Sequence, residues 1–69
     1  MSNNVYSLSE IVGSSDKSIE DAIENAISTA SKKLRNLEWF EVSETRGHIV
    51  DGKVAHYQVA LKLGFRYDG

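Results

Sequence analysis

The dipeptide Asp51-Gly52, between two runs of strand-forming residues, restricts the fold of this chain more than any other feature. A two-residue hairpin turn of type I′ needs positive φ at both central positions, and Asp-Gly is a preferred pair for it. The turn predicts an antiparallel hairpin and sets its register. Counting outward from the turn, the predicted pairs are Val50–Lys53, Ile49–Val54, Thr45–Gln58, Val42–Leu61, Phe40–Leu63 and Trp39–Gly64.

Side chains alternate between the two faces of a strand, so this register sorts the hairpin into two faces. The apolar face, which a helix should cover, carries Phe40, Val42, Tyr57, Val59, Leu61, Leu63 and Phe65. Trp39 and Gln58 are predicted on the opposite face. By the same parity Glu44, Arg46 and His48 fall on the helix side, which is unfavourable for charged groups. Either a bulge re-aims them or the hairpin end projects beyond the helix, and the relative lengths of helix and strand favour the projection.

The first half of the chain predicts one strand and one helix. Residues 5–12 predict the strand, and the serine- and glycine-rich stretch 13–18 predicts a loop. Ser18 is the predicted N-cap, and apolar spacing of three and four residues extends the predicted helix from Ile19 to Asn36. Its last turns would then carry the basic residues Lys32, Lys33 and Arg35. The β-α-β-β order predicts an α+β fold, a three-stranded antiparallel sheet packed on one helix, and leaves open which hairpin strand the first strand joins.

Length and composition limit how such a chain is stabilised. Its 69 residues predict a single domain, 1–69, and a domain this short buries only about 60% of its unfolded surface. There is no cysteine, and the two histidines have no zinc-ligand spacing. Oligomerisation is therefore the predicted source of additional stability.

Charge and hydropathy exclude several classes of partner. The net charge is −2, with 8 basic and 10 acidic residues and no basic tract, so nucleic acid is not a predicted partner. The stretch MSNNVYSLSE lacks the features of a signal peptide, and no apolar run approaches membrane-spanning length. A cytoplasmic protein without membrane contact is the expectation.

Trp39 and Gln58 are the first candidate ligand-binding residues. Trp39 is either a core aromatic or a stacking platform, and Gly64 opposite it either leaves room for a planar ligand or is covered by the indole. The Gln58 amide can both donate and accept hydrogen bonds at a ring edge. The two residues lie six positions apart along the ladder, roughly 20 Å. If both bind one ligand, they are expected to come from different subunits.

The other polar candidates are two arginines and two histidines. Arg46 and Arg66 either bind phosphate or carboxylate groups or form surface ion pairs with neighbours such as Glu44, and the ion pair is the favoured interpretation. His48 and His56 have no nucleophile or metal partner at an informative spacing, and are interpreted as solvent-facing strand residues.

Three stretches of the chain together resemble a known family: VYSLSEIVGSS, SIEDAIENAISTASKKLRNLEWFEV and TRGHIVDGKVAHYQVALKLGF. From Val5 to Tyr67 they are similar to the dodecins of bacterial type, which are small flavin-binding proteins. The resemblance implies a β-α-β-β subunit, a homododecameric shell and flavins bound in pairs near two-fold axes.

The resemblance also assigns candidate site residues. Trp39 matches the tryptophan that stacks on the flavin ring, and Gln58 matches the glutamine that hydrogen-bonds the ring edge. Glu44 and Arg46 match positions near the site, and Arg66 matches a basic position that meets an FMN phosphate. The implied ligand is FMN or riboflavin, with Arg66 favouring FMN. Some bacterial members also bind coenzyme A, for which no motif here assigns residues.

The function implied by the resemblance is non-catalytic storage and buffering of flavin, with quenching of its photochemistry. Two other interpretations remain open on the sequence. One is an oligomeric assembly module whose exposed face is only an interface. The other is a flavoprotein subunit without a storage role, which would need an acid, base or redox partner beside the flavin.

Overall fold

A computed structural model describes residues 3–67 of the chain; positions 1–2 and 68–69 of the predicted domain lie outside the described residues. The elements are strand β1 (Tyr6–Ser15), helix α1 (Ile19–Ala30), strand β2 (Leu37–Val50) and strand β3 (Lys53–Arg66). The strands form one antiparallel sheet in the order β1-β3-β2. This confirms the predicted α+β fold and settles the open choice, because β1 pairs with β3.

The junction between β1 and α1 is held by serine and aspartate side chains. Ser18 is the N-cap as predicted, and its hydroxyl accepts a hydrogen bond from the Asp21 backbone N–H at 2.9 Å. The hydroxyl of Ser15 donates to the Asp21 carboxylate at 2.7 Å and is buried. The prediction of a loop from residue 13 was wrong: β1 continues to Ser15 because residues 13–15 pair with β3. Ladder pairing overrides their turn propensity.

The helix ends at Ala30, six residues before the predicted end. The next residues form tight turns, in which the Leu34 N–H donates to the Ala30 carbonyl at 2.9 Å, and Asn36 then reverses the chain with a φ of 62°. Lys32 and the other basic residues of this stretch therefore lie beyond the helix. Leu34 and Leu37 still pack against the core, which explains why helical spacing persisted in the sequence after the helix had ended.

The core lies between α1 and the central strand. Val59, Leu61 and Leu63 are fully buried and pack with two small helix residues, Ala22 and Ala26. The helix lies over β1 and β3 rather than β2. The expected cover over Phe40 and Val42 is therefore incomplete, and these residues of β2 are 47% and 40% exposed.

The hairpin turn is as predicted, with φ of 53° at Asp51 and 74° at Gly52. The pairs next to the turn and those at the far end, including Trp39–Gly64, are confirmed. Between them the register shifts by one residue, because Ala55 is an extra residue in β3 and Ser43 an extra residue in β2. Gln58 therefore faces Arg46, and the predicted Thr45–Gln58 pair was wrong.

In the described part of the chain, no helix is both long enough and apolar enough to cross a bilayer.

Candidate functional site

The sheet has one face that the helix does not cover, called here the open face. The pairing of β1 and β2 with β3 assigns its members by alternation. Its residues are Tyr6, Leu8, Glu10, Val12 and Ser14 of β1, Trp39, Glu41, Glu44, Arg46 and His48 of β2, and His56, Gln58, Ala60, Lys62, Gly64 and Arg66 of β3. Leu8 and Val12 are 57% and 53% exposed, so the open face has an apolar as well as a charged part.

The bulge at Ser43 determines where the charged residues of β2 point. One extra residue reverses the alternation, so Glu44 and Arg46 lie on the open face opposite Ala60 and Gln58. The bulge alternative was right, and the preference for a projecting hairpin end as the explanation of how these groups face was wrong. The Ser43 hydroxyl lies 3.1 Å from the Ala60 carbonyl oxygen and donates to it, which satisfies a backbone acceptor at the irregularity.

Trp39 lies across Gly64 of the neighbouring strand and forms what we call the tryptophan platform. A Cβ at position 64 would collide with the indole atoms Cδ2, Cε2 and Cζ2, so only glycine allows the ring this close to the sheet. Tyr6 flanks the indole with its ring centroid 6.5 Å away and its plane inclined by 58°. Trp39 is still 43% exposed. The indole covers the glycine gap, and its outward face is available for stacking.

An ion pair lies beside the tryptophan platform. Arg66 donates from Nη1 to the Glu38 carboxylate at 2.9 Å, and their side chains are 44% and 35% exposed. An ion pair this exposed is worth only about 0.2–1 kcal/mol. The Arg66 guanidinium can therefore turn towards another anion at small cost.

Three predicted site residues meet further along the open face and form what we call the arginine network. Arg46 donates from Nε to the Gln58 side-chain oxygen at 3.1 Å and from Nη1 to the Glu44 carboxylate at 2.6 Å. The favoured interpretation of Arg46 as an ion-pair partner of Glu44 is confirmed. Because the Gln58 oxygen accepts from Arg46, its amide NH₂ is the part that is oriented to donate to a ligand.

The tryptophan platform and the arginine network lie far apart on the open face. From Gly64, which carries the platform, to Gln58 there are six residues of β3, roughly 20 Å. The structure therefore brings Glu44, Arg46 and Gln58 together, and separately places Arg66 near Trp39.

Sequence reasoning missed one member of the platform, Tyr6. The signal was present but conditional, because Tyr6 reaches Trp39 only if β1 pairs with β3 in the register that sets Tyr6 opposite Arg66. The sequence left the partner of β1 open, so the contact could not be assigned.

The fold and the open face define a small α+β protein that presents an aromatic and a polar cluster on one uncovered sheet face. The family model for dodecins matches residues 5–68. A Thermus thermophilus dodecin is 48% identical over 64 residues, which cover 93% of each chain. The structure of a Streptomyces coelicolor dodecin is 52% identical, with a TM-score of 0.95 over 100% of this chain and 99% of that one. A Streptomyces davaonensis dodecin is 50% identical, with a TM-score of 0.93 over 99% and 100%. The chain belongs to the dodecin family.

Proposed function

We propose that this protein binds flavin, with FMN as the favoured ligand over riboflavin, and stores it in a homododecameric shell. The observation that carries the proposal is the tryptophan platform, a 43% exposed indole held flat against a glycine on the open face. A tryptophan buried only for stability would be expected on the helix side, where Leu61 and Leu63 are buried. An exposed planar ring suits stacking against another planar ring.

The proposed site is shared between subunits. An isoalloxazine ring that stacks on Trp39 does not reach Gln58 of the same chain, roughly 20 Å along the strand. A second copy that brings its arginine network to the tryptophan platform completes the site, with the Gln58 amide at the ring edge. Exposed Leu8 and Val12 on the same face supply apolar surface for that contact.

The proposed role is storage and photoprotection rather than catalysis. Groups around the platform are aromatic, as Tyr6 is, or ion-paired, as Arg66 and Glu38 are. Electron transfer from the stacked indole to excited flavin gives a physical route for quenching. Arg66 is the proposed phosphate contact, and its weak pair with Glu38 leaves it free to exchange partners.

The test is an FMN titration followed by flavin fluorescence, with the particle size measured by light scattering. We expect quenching on binding and a particle of about twelve chains. Trp39→Ala should abolish most of the quenching, and Trp39→Phe should retain part of the binding. Phe40→Leu is the matched control, because Phe40 is the adjacent aromatic on the helix side.

The outcomes separate the alternatives. A large particle that does not quench FMN would favour a pure assembly module. Sustained turnover of a reductant by the flavin-loaded protein would favour a flavoprotein subunit. Equal FMN affinity in Trp39→Ala and in the unchanged protein would contradict the stacking role.

A further inference from the structure

A pair of histidines lies on the open face between the arginine network and the hairpin turn. His48 of β2 and His56 of β3 face each other directly across the hairpin, and both are exposed. Their ring centroids are 6.3 Å apart, and the ring planes are inclined by 73°. We propose that this cross-strand histidine pair chelates a divalent transition-metal ion of the Cu²⁺, Ni²⁺ or Zn²⁺ class.

The bulge at Ala55 creates the pair. The uninterrupted register set by the turn would place His48 opposite Ala55 and His56 opposite Gly47, with the two imidazoles on different faces. One extra residue in β3 moves His56 by one position, so both rings share a rung and a face. The pairing is therefore a specific product of the irregularity.

The spacing of the two rings is close to that of rings on a shared metal ion. A metal–imidazole bond of about 2.0–2.1 Å puts each ring centroid about 3.2 Å from the metal, so two rings are about 4.5 Å apart at an N–metal–N angle of about 90° and about 5.2 Å apart at a tetrahedral angle. The observed 6.3 Å is longer by about 1–2 Å. Because both side chains are exposed, rotations about their side-chain torsions can close the difference without moving the backbone.

The chemistry of the donors selects the ion. Neutral imidazole nitrogens suit zinc, copper and nickel, whereas calcium and magnesium prefer oxygen ligands. Across residues 3–67 no group of three or more histidine, aspartate, glutamate or cysteine side chains is placed to hold a metal. The pair therefore supplies two ligands, and water completes the coordination.

The charge around the pair does not oppose a cation strongly. The neighbouring residue on the same face of β2 is Arg46, about 7 Å along the strand. Its guanidinium is already paired with the Glu44 carboxylate, which offsets its charge at the histidines.

The test is isothermal titration of NiCl₂ into the flavin-free, full-length protein. We expect one Ni²⁺ per chain with a dissociation constant in the micromolar range. His48→Gln and His56→Gln should each lower the affinity about tenfold or more, because one remaining imidazole cannot chelate, and the double variant should lose measurable Ni²⁺ binding because neither imidazole is left. Lys53→Gln, an exposed change at the same hairpin end, should leave binding unchanged.

Three results would overturn the proposal. They are wild-type Ni²⁺ affinity in either single histidine variant, Ni²⁺ binding that persists in the double variant, and a stoichiometry of one ion per two or more chains. Both histidines are exposed, so the variants are expected to fold, and far-UV circular dichroism checks this. Because the titration contains no flavin, failure of this proposal leaves the flavin proposal untouched.

Discussion

Gly64→Ala probes the tryptophan platform most sharply, because it alters the position of the indole without removing it. The added Cβ would collide with three atoms of the Trp39 ring. The ring must leave the sheet, or the side chains around Gly64 on the open face must absorb the extra atom. Trp39 is 43% exposed, so swinging it outward is the easier response.

Displacing the indole should lower the free energy of unfolding. Moving the indole off Gly64 re-exposes up to about 100 Å² of apolar surface, which at about 25 cal/mol/Å² corresponds to at most ~2.5 kcal/mol. Keeping the ring in place would cost a similar overpacking penalty, about 1–3 kcal/mol. Replacing glycine gains about 0.4–1 kcal/mol through the unfolded chain. The expected net loss in the free energy of unfolding is about 1–2 kcal/mol.

Displacing the Trp39 indole should also lower the affinity for flavin. An aromatic stack contributes about 0.5–1.5 kcal/mol, so losing the stack on Trp39 should lower the FMN affinity by about 2- to 12-fold. The assays are urea unfolding followed by far-UV circular dichroism and FMN titration followed by fluorescence, at matched chain concentration.

Gly47→Ala is the control for the same chemical change in the same hairpin. A Cβ at Gly47 meets the His56 carbonyl oxygen at 3.0 Å and a Val54 methyl at 3.9 Å, and none of the Trp39 ring atoms is among its nearest contacts. It should cost some stability and leave FMN affinity within about twofold. Wild-type FMN affinity in Gly64→Ala would refute the platform, as would an equal loss in both variants.

Three further variants test the other contacts. Ser18→Ala removes the helix N-cap and should lower the free energy of unfolding by about 0.5–2 kcal/mol, measured by urea denaturation; no change would show that the cap is dispensable. Gly13→Ala forces a Cβ to within 2.8 Å of the Ala26 Cβ and closer still to the Ala22 carbonyl, so a loss of about 1–3 kcal/mol or more is expected in the same assay. Arg46→Lys keeps the charge but loses the planar guanidinium that donates to both Gln58 and Glu44. FMN affinity should therefore fall several-fold while thermal stability changes little. Unchanged FMN affinity would show that Arg46 is not part of the flavin site.

The pairing at both ends of the hairpin was predicted correctly because Asp51-Gly52 strongly favours one turn type. The Trp39–Gly64 pair follows from that turn, since the extra residue at Ala55 in β3 and the extra residue at Ser43 in β2 shift the register in opposite directions. The bulges themselves had no sequence signal, since Ala55 and Ser43 are ordinary strand residues. Only the three-dimensional pairing shows that Arg46, not Thr45, faces Gln58.

The helix boundary was missed for a related reason. Leu34 and Leu37 keep helical spacing because they pack on the same core, although the chain has already turned at Asn36. Apolar periodicity reports which residues reach the core, and tertiary packing can satisfy it without helical geometry. The hairpin register placed Gln58 far from Trp39, but the sequence could not place Tyr6 beside Trp39 because the partner of β1 was open.

The most direct test of the shared flavin site is a crystal structure of the protein with FMN. We predict an isoalloxazine ring stacked on the Trp39 indole, with the amide of a Gln58 from a different chain at the ring edge. A flavin bound away from Trp39, or one contacted by Trp39 and Gln58 of the same chain, would contradict it.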